Sequence, residues 1–179
     1  MLDYSSIIKL VDFNYNFAFM NKILIRKAEI KDMVSVLGLI KELAEFEREP
    51  RSVSINVDDL INDGFSDNPK FRCLVAEKNK NVVGMALFYG RYSTWKGKTL
   101  HLEDLIVKKK FRGQGIGKKL YKKFIEIASQ EGVRRAEWVA LDWNVKAIKF
   151  YENSGAKVLN DWKIIQIDKK SMKNYLIKK

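Results

Sequence analysis

Three glycines in five residues, Gly113, Gly115 and Gly117, stand between an apolar run that closes at Val107 and a helical stripe of Ile116, Leu120, Phe124 and Ile127. No other feature restricts the fold as much. Glycine has no Cβ, so the backbone can turn through conformations closed to other residues and pass close to another group. A strand that enters such a loop and leaves as an amphipathic helix needs a strand to return to. Arg135–Leu141 reads as that strand, so the expected unit is strand, glycine loop, helix, parallel strand.

The chain before this unit reads differently. Ile23–Ile25 opens a strand, and from Asp32 the residues Met33, Val36, Leu37, Ile40, Leu43 and Ala44 recur at helical spacing. Val57–Phe65 is a short second helix closing near Gly64. Strands are expected at Phe71–Glu77, Val82–Tyr92 and Thr99–Val107, the first two joined by the polar turn Lys78-Asn79-Lys80-Asn81. After Arg135–Leu141, a helix begins at Asn144 as N-cap and ends at Gly155. A strand at Trp162–Ile167 and a final helix complete the chain. Hairpin-linked strands followed by helix-crossed strands describe an α/β (α+β mixed) fold with a mixed sheet and helices on its faces. With two prolines, no repeat and no linker, residues 21–179 read as one domain and residues 1–20 as a dispensable extension.

Composition excludes several classes. Hydrophobic residues make up 46% of the chain, enough for a core and too many for a disordered segment. No run approaches the roughly 20 uncharged apolar residues of a membrane span, and Lys9 and Asp12 interrupt Ile7–Phe19 as a signal peptide. The single cysteine, Cys73, permits no disulfide framework, so a cytoplasmic location is expected. Residues 1–100 carry 15 Lys and Arg against 13 Asp and Glu, and residues 101–179 carry 19 against 9. The positive half would attract a polyanion, either nucleic acid or a phosphate-rich cofactor. Its lysines lack the interleaved aromatics of a single-strand binder, so no nucleic acid is expected.

At the start of the helix after Arg112-Gly113-Gln114-Gly115-Ile116-Gly117, free N–H groups and the positive dipole end favour a phosphate, with Arg112, Lys118 and Lys119 adding charge. The spacing is neither a dinucleotide fingerprint nor a P-loop, because Lys118 and Lys119 occupy the deciding positions. Upstream, Glu103 and Asp104 lie together inside an apolar strand. Alternation sends one inward unless a bulge re-aims it, and a general base and a satisfied structural acid are equal readings. Tyr151, on the helix after Asn144, is either a core tyrosine or a proton donor. His101 is the only histidine, no nucleophile elbow is present and metal-ligand spacing is absent, so hydrolase and metal chemistry are poorly served.

These residues resemble the GNAT superfamily of N-acetyltransferases, and within it the diamine acetyltransferases, over Ile25 to Ile167. The shared pieces are the run from Leu39 to Glu47, Asp63-Gly64-Phe65, Cys73 to Glu77, Leu102-Glu103-Asp104 and the glycine loop. Tyr92-Ser93-Thr94-Trp95-Lys96-Gly97 and Leu141-Asp142-Trp143-Asn144 resemble the thialysine type more than the spermidine/spermine type, which carries an acid where Ser93 stands. The resemblance implies a largely antiparallel sheet with splayed central parallel strands, helices on both faces, a homodimer, and acetyl-CoA as co-substrate. It implies that Arg112, Gly113, Gln114, Gly115, Ile116, Gly117 and Lys118 hold the CoA diphosphate. The pantetheine would run between Leu102–Val107 and Arg135–Leu141, along Leu105, Ile106 and Val107, with Asn144 as a further contact. By the same resemblance Tyr151 protonates the departing thiolate and Glu103 accepts the amine proton through water. The expected reaction is direct attack of a small-molecule amine through a tetrahedral intermediate, with Glu47, Trp95 and Asp104 as acceptor-side contacts. A protein lysine or N-terminal acetyltransferase and a non-catalytic basic module are the competing readings.

Overall fold

Five strands lie side by side in chain order in the computed structural model, which describes residues 22–177: β1 (Leu24–Lys27), β2 (Arg72–Lys78), β3 (Asn81–Ser93), β4 (Gly97–Val107) and β5 (Arg135–Trp138). The first four pair antiparallel and β5 joins β4 in parallel. The turn between β2 and β3 is tight because Asn79 and Lys80 both take positive φ, 52° and 61°, the conformation that matches the twist of a two-residue hairpin. The extension assigned to residues 1–20 lies outside the described residues.

Helices cover both faces of the sheet. On one face α1 (Met33–Phe46) and α2 (Val57–Gly64) bury Met33, Val36, Leu37, Leu39 and Leu60 against Val75, Met85, Leu87 and Ile106. Burying side chains of this size contributes roughly 1.5–3 kcal/mol each. α2 starts on a reciprocal cap: Asn56 Oδ1 accepts from the Asp59 N–H and Asp59 Oδ2 accepts from the Asn56 N–H. On the other face α3 (Ile116–Gln130) sets Phe124 edge-on to Phe88, with ring centroids 5.3 Å apart. Gly84 lets this helix and β4 close on β3, since a Cβ there would lie 2.8 Å from the Ile106 carbonyl oxygen.

The described residues divide into two compact units, 22–139 and 140–177. The second holds α4 (Val145–Glu152) and α5 (Lys169–Ile177). Asn144 caps α4 as expected, its side chain accepting from the Ala147 N–H. The helix stops at Glu152, and Gly155, with φ +93°, closes the turn that follows.

Two strand expectations are corrected. β5 ends at Trp138 rather than Leu141, because the parallel ladder runs no further than Leu102 opposite Trp138, just before the register of β4 against β3 shifts at Glu103. Trp162–Ile167 forms no strand. Its β-forming residues break alternation at Ile164-Ile165, and propensity without a paired neighbour does not make a strand. Within the described sheet the parallel pair therefore lies at one edge rather than at the centre. No helix among the described residues is long and apolar enough to cross a membrane.

Candidate active site

A β-bulge decides where the two acids point. Leu87 pairs with Asp104 but Phe88 pairs with Leu102, so Glu103 is the extra residue on β4. Without the bulge, alternation would send the neighbours to opposite faces; with it both side chains turn to the face covered by α1 and α2. Both line one cavity of about 390 Å³. Its walls include Ile40, Leu60, Phe71 and Leu87, and two further carboxylates, Asp59 and Asp63, come from α2.

The two acids differ in surroundings. Burial, reinforced by the carboxylates of Glu103 and Glu47, pushes Asp104 up to about 7. Glu103 has a side chain 52% exposed, and its Oε2 accepts a hydrogen bond from the Tyr89 hydroxyl at 3.1 Å. The same oxygen lies 3.5 Å from His101 Nε2. An apolar cavity carrying this much negative charge suits a cation.

β4 leads from these acids into the glycine loop. Past Leu102 no described strand pairs with its β5-facing edge. A 3-10 turn at Lys109–Phe111 then carries the chain to Arg112. Gly113 and Gly115 take φ of +78° and +73°, which L side chains adopt only with strain. Gly117 is different. It does not have positive φ, and a Cβ there would rest 3.8 Å from Val107 Cγ2, an ordinary contact. Glycine in a helix weakens it by about 1 kcal/mol against alanine, and no contact among the described residues requires it at this position. Gly115 caps α3 without a side chain, so the first-turn amides of Ile116, Gly117 and Lys118 face outward at the positive end of a 15-residue helix. These features fit the diphosphate of CoA.

Arg112 and Gln114 are fastened to the protein by their side chains. Arg112 Nε donates to the Val107 carbonyl at 2.8 Å, its guanidinium sits over the Phe46 ring, and Nη2 lies 3.8 Å from Glu42 Oε1. Gln114 Oε1 accepts from Lys78 Nζ at 3.0 Å, and the Lys109 N–H donates to Glu42 Oε1 at 2.9 Å. Both residues shape the loop as well as standing in it.

Of the residues expected on the acceptor side, Glu47 acts on Asp104 and is itself raised by partial burial. Trp95 lies in the β3–β4 turn, 77% exposed, and does not line the cavity. Asn144 and Tyr151 belong to the second unit, where the Tyr151 ring meets Phe150 edge-on at 5.2 Å. Asp59 escaped the sequence reading, and Asp63 entered it only within the shared piece Asp63-Gly64-Phe65, not as a site residue. The signal was present in their i, i+4 spacing, but on a short polar helix it reads as solvated surface. Cys73 is buried, with its thiol pushed up to about 12 by burial, and so offers no thiolate nucleophile.

The profile of the Acetyltransferase (GNAT) family matches residues 37–156, from within the first helix through the bulged strand and the glycine loop to the end of α4. The chain belongs to the GNAT acetyltransferase family. As a member it is an N-acetyltransferase, and acetyl-CoA is the co-substrate of such enzymes. This acetyltransferase is 42% identical over 150 residues to the thialysine N-epsilon-acetyltransferase of Sus scrofa, covering 79% of its own length and 88% of that relative. It is 40% identical over 117 residues to the Caenorhabditis elegans protein of the same name, covering 65% and 72% of the two chains. Among solved structures, an integron cassette protein from the mobile metagenome of V. cholerae shares the fold with a TM-score of 0.71 at 22% identity, covering 87% of this chain and 98% of that one.

Proposed function

We propose that this acetyltransferase acetylates a primary amine of a small molecule, a thialysine-like amino acid or a diamine. The observation that carries the reading is the cavity of about 390 Å³ into which the bulge turns both Glu103 and Asp104. Its volume matches a small ligand, and its carboxylates suit an ammonium group. The thialysine relatives support the same acceptor class.

An alkyl ammonium with a lysine-like pKa is neutral in only about one molecule in a few thousand at pH 7, so the site must remove a proton before attack. Glu103 accepts it through water. Asp104, with the nearby charge of Glu47, attracts and orients the acceptor, and the raised value of Asp104 lets it adjust its charge as a cation enters. Acetyl-CoA supplies an activated thioester. Gly113, Gly115, Ile116, Gly117 and Lys118 hold its diphosphate on main-chain amides, with Arg112 and Gln114 shaping the loop. Leu105, Ile106 and Val107 line the pantetheine, and Asn144 is a further contact. The neutral amine attacks directly through a tetrahedral intermediate, and Tyr151 gives its hydroxyl proton to the departing sulfur. No acyl-enzyme forms.

Residues 21–179 work as one transferase domain without need of 1–20, in the cytoplasm and as a homodimer. Initial rates with acetyl-CoA against thialysine, a diamine series and a lysine peptide test the acceptor. Turnover of the small amines is expected, and turnover of the peptide alone would overturn it. Tyr151→Phe should lower kcat by about 10²-fold, and an unchanged kcat removes the acid assignment.

A further inference from the structure

We propose that His101 is a positioning and proton-relay residue for Glu103, taking over the proton that the acceptor amine loses and so returning Glu103 to its carboxylate. This rests on Glu103 serving as the base.

His101 is the only histidine of the chain, and its side chain is 12% exposed. Its place is fixed from both neighbouring strands. Tyr89 stands directly opposite on β3, with ring centroids 5.2 Å apart and planes tilted by 32°. Glu137 stands directly opposite on β5, its carboxylate held by Arg91 at 2.7 Å and Arg135 at 2.9 Å. Nε2 lies 3.5 Å from Glu103 Oε2, the oxygen that also receives the Tyr89 hydroxyl. Tyr89 and His101 therefore address one carboxylate oxygen from two strands, and the bulge brings that oxygen to them. A separation of 3.5 Å is longer than a formed hydrogen bond, and catalytic pairs commonly tighten when substrate binds.

The groups facing the imidazole are Glu103 on its own strand, Tyr89 and Arg91 on β3, and Glu137 and Arg135 on β5. Burial holds His101 below its ordinary value, Arg91 adds to this, and Glu103 and Glu137 oppose it. Nδ1 is buried with no hydrogen-bond partner among the described residues, so the ring exchanges protons through Nε2, which offers a lone pair to Glu103 in the tautomer that carries its proton on Nδ1. Once Glu103 has received the amine proton through water, its O–H bond breaks as an N–H bond forms at Nε2. This leaves a carboxylate at Glu103 and an imidazolium between Glu103 and Glu137. The imidazolium then loses the proton to solvent, and no other reactant is consumed.

Because Glu103 is half exposed, it can also release its proton directly to water, so the relay is an accelerator. Loss of the imidazole should lower kcat roughly tenfold, below the usual range for removing a general base itself. The test uses the full chain with acetyl-CoA and thialysine, comparing wild type with His101→Phe and His101→Asn. The expected result is a tenfold fall in kcat with an unchanged KM for acetyl-CoA, reversed by raising the imidazole buffer concentration, to which the wild type is indifferent. Two substitutions guard against one failing to fold, and thermal unfolding reports which variant is sound. Wild-type kcat in a folded variant overturns the relay, as does a fall that buffer base does not restore, since that marks a merely structural role. Glu103→Gln assayed alongside separates the failures. Full turnover there removes the base; loss there with full turnover in both His101 variants removes only the relay.

Discussion

The bulge at Glu103 and the loop at Gly113–Gly117 are consecutive stretches of one path, and they are opposites. The bulge gathers carboxylates into an apolar cavity, where burial and mutual repulsion make negative charge costly and a cation welcome. The loop strips away side chains and presents main-chain amides at a helix start, which welcomes an anion. One site is built from side chains that a bulge re-aims, the other from backbone that glycine frees. On the proposed reading, charged acceptor and charged donor are kept apart until a few residues of β4 bring their reacting ends together.

The sharpest way to break this contrast is Glu103→Gln. If the bulge supplies the base, kcat falls by about 10²–10³-fold while the KM for acetyl-CoA stays within about twofold, as steady-state kinetics would read. A parallel rise in that KM would mean that the two regions are not separate. Gly117→Ala probes the other end. Its Cβ meets only an ordinary contact, and alanine is the better helix former, so the unfolding midpoint should hold or rise slightly. CoA affinity by calorimetry should nevertheless fall about tenfold or more, because the methyl group occupies the approach to the amides. Unchanged affinity would show that the diphosphate lies elsewhere.

Asp104→Asn sharpens the account of the cavity through pH. The folded value near 7 lies above the ordinary 3.8, so the folded protein binds the proton more tightly. Ionised Asp104 therefore costs stability above pH 7, and that cost fades as pH falls from 7 towards 4. The substitution should raise the unfolding midpoint at pH 8 by several degrees, on the scale of about 2–4 °C per kcal/mol for a chain of this size. At pH 4 it should change little. A gain at pH 4 equal to that at pH 8 would refute the buried charge. The smallest effect belongs to Glu42→Gln, which weakens the acceptor for the Lys109 N–H and the partner of Arg112. A loss of about two- to threefold in CoA affinity is expected, the scale of one partly exposed charge contact.

Legibility followed the range of the physics. The α1 stripe, the Asn144 cap, the β2–β3 turn and the glycine loop were all readable, since each rests on residues within a turn or two of one another. The direction of Glu103 and Asp104 was not readable, because the extra residue exists only by comparison with the partner strand, Leu87 and Phe88. That Asp59 and Asp63 line the cavity was missed for a related cause: a polar helix shows which residues it carries, not what it faces. The Trp162–Ile167 expectation failed by trusting β-forming side chains without a ladder to join.

Sequence by itself determined the glycine loop, because left-handed backbone and a bare helix start are local demands that composition meets directly. Only the tertiary structure decided that two adjacent acids share a face, that one is held near neutrality and that β4 and β5 part at Leu102. Register and burial are relations between distant segments, and no single stretch of chain contains them.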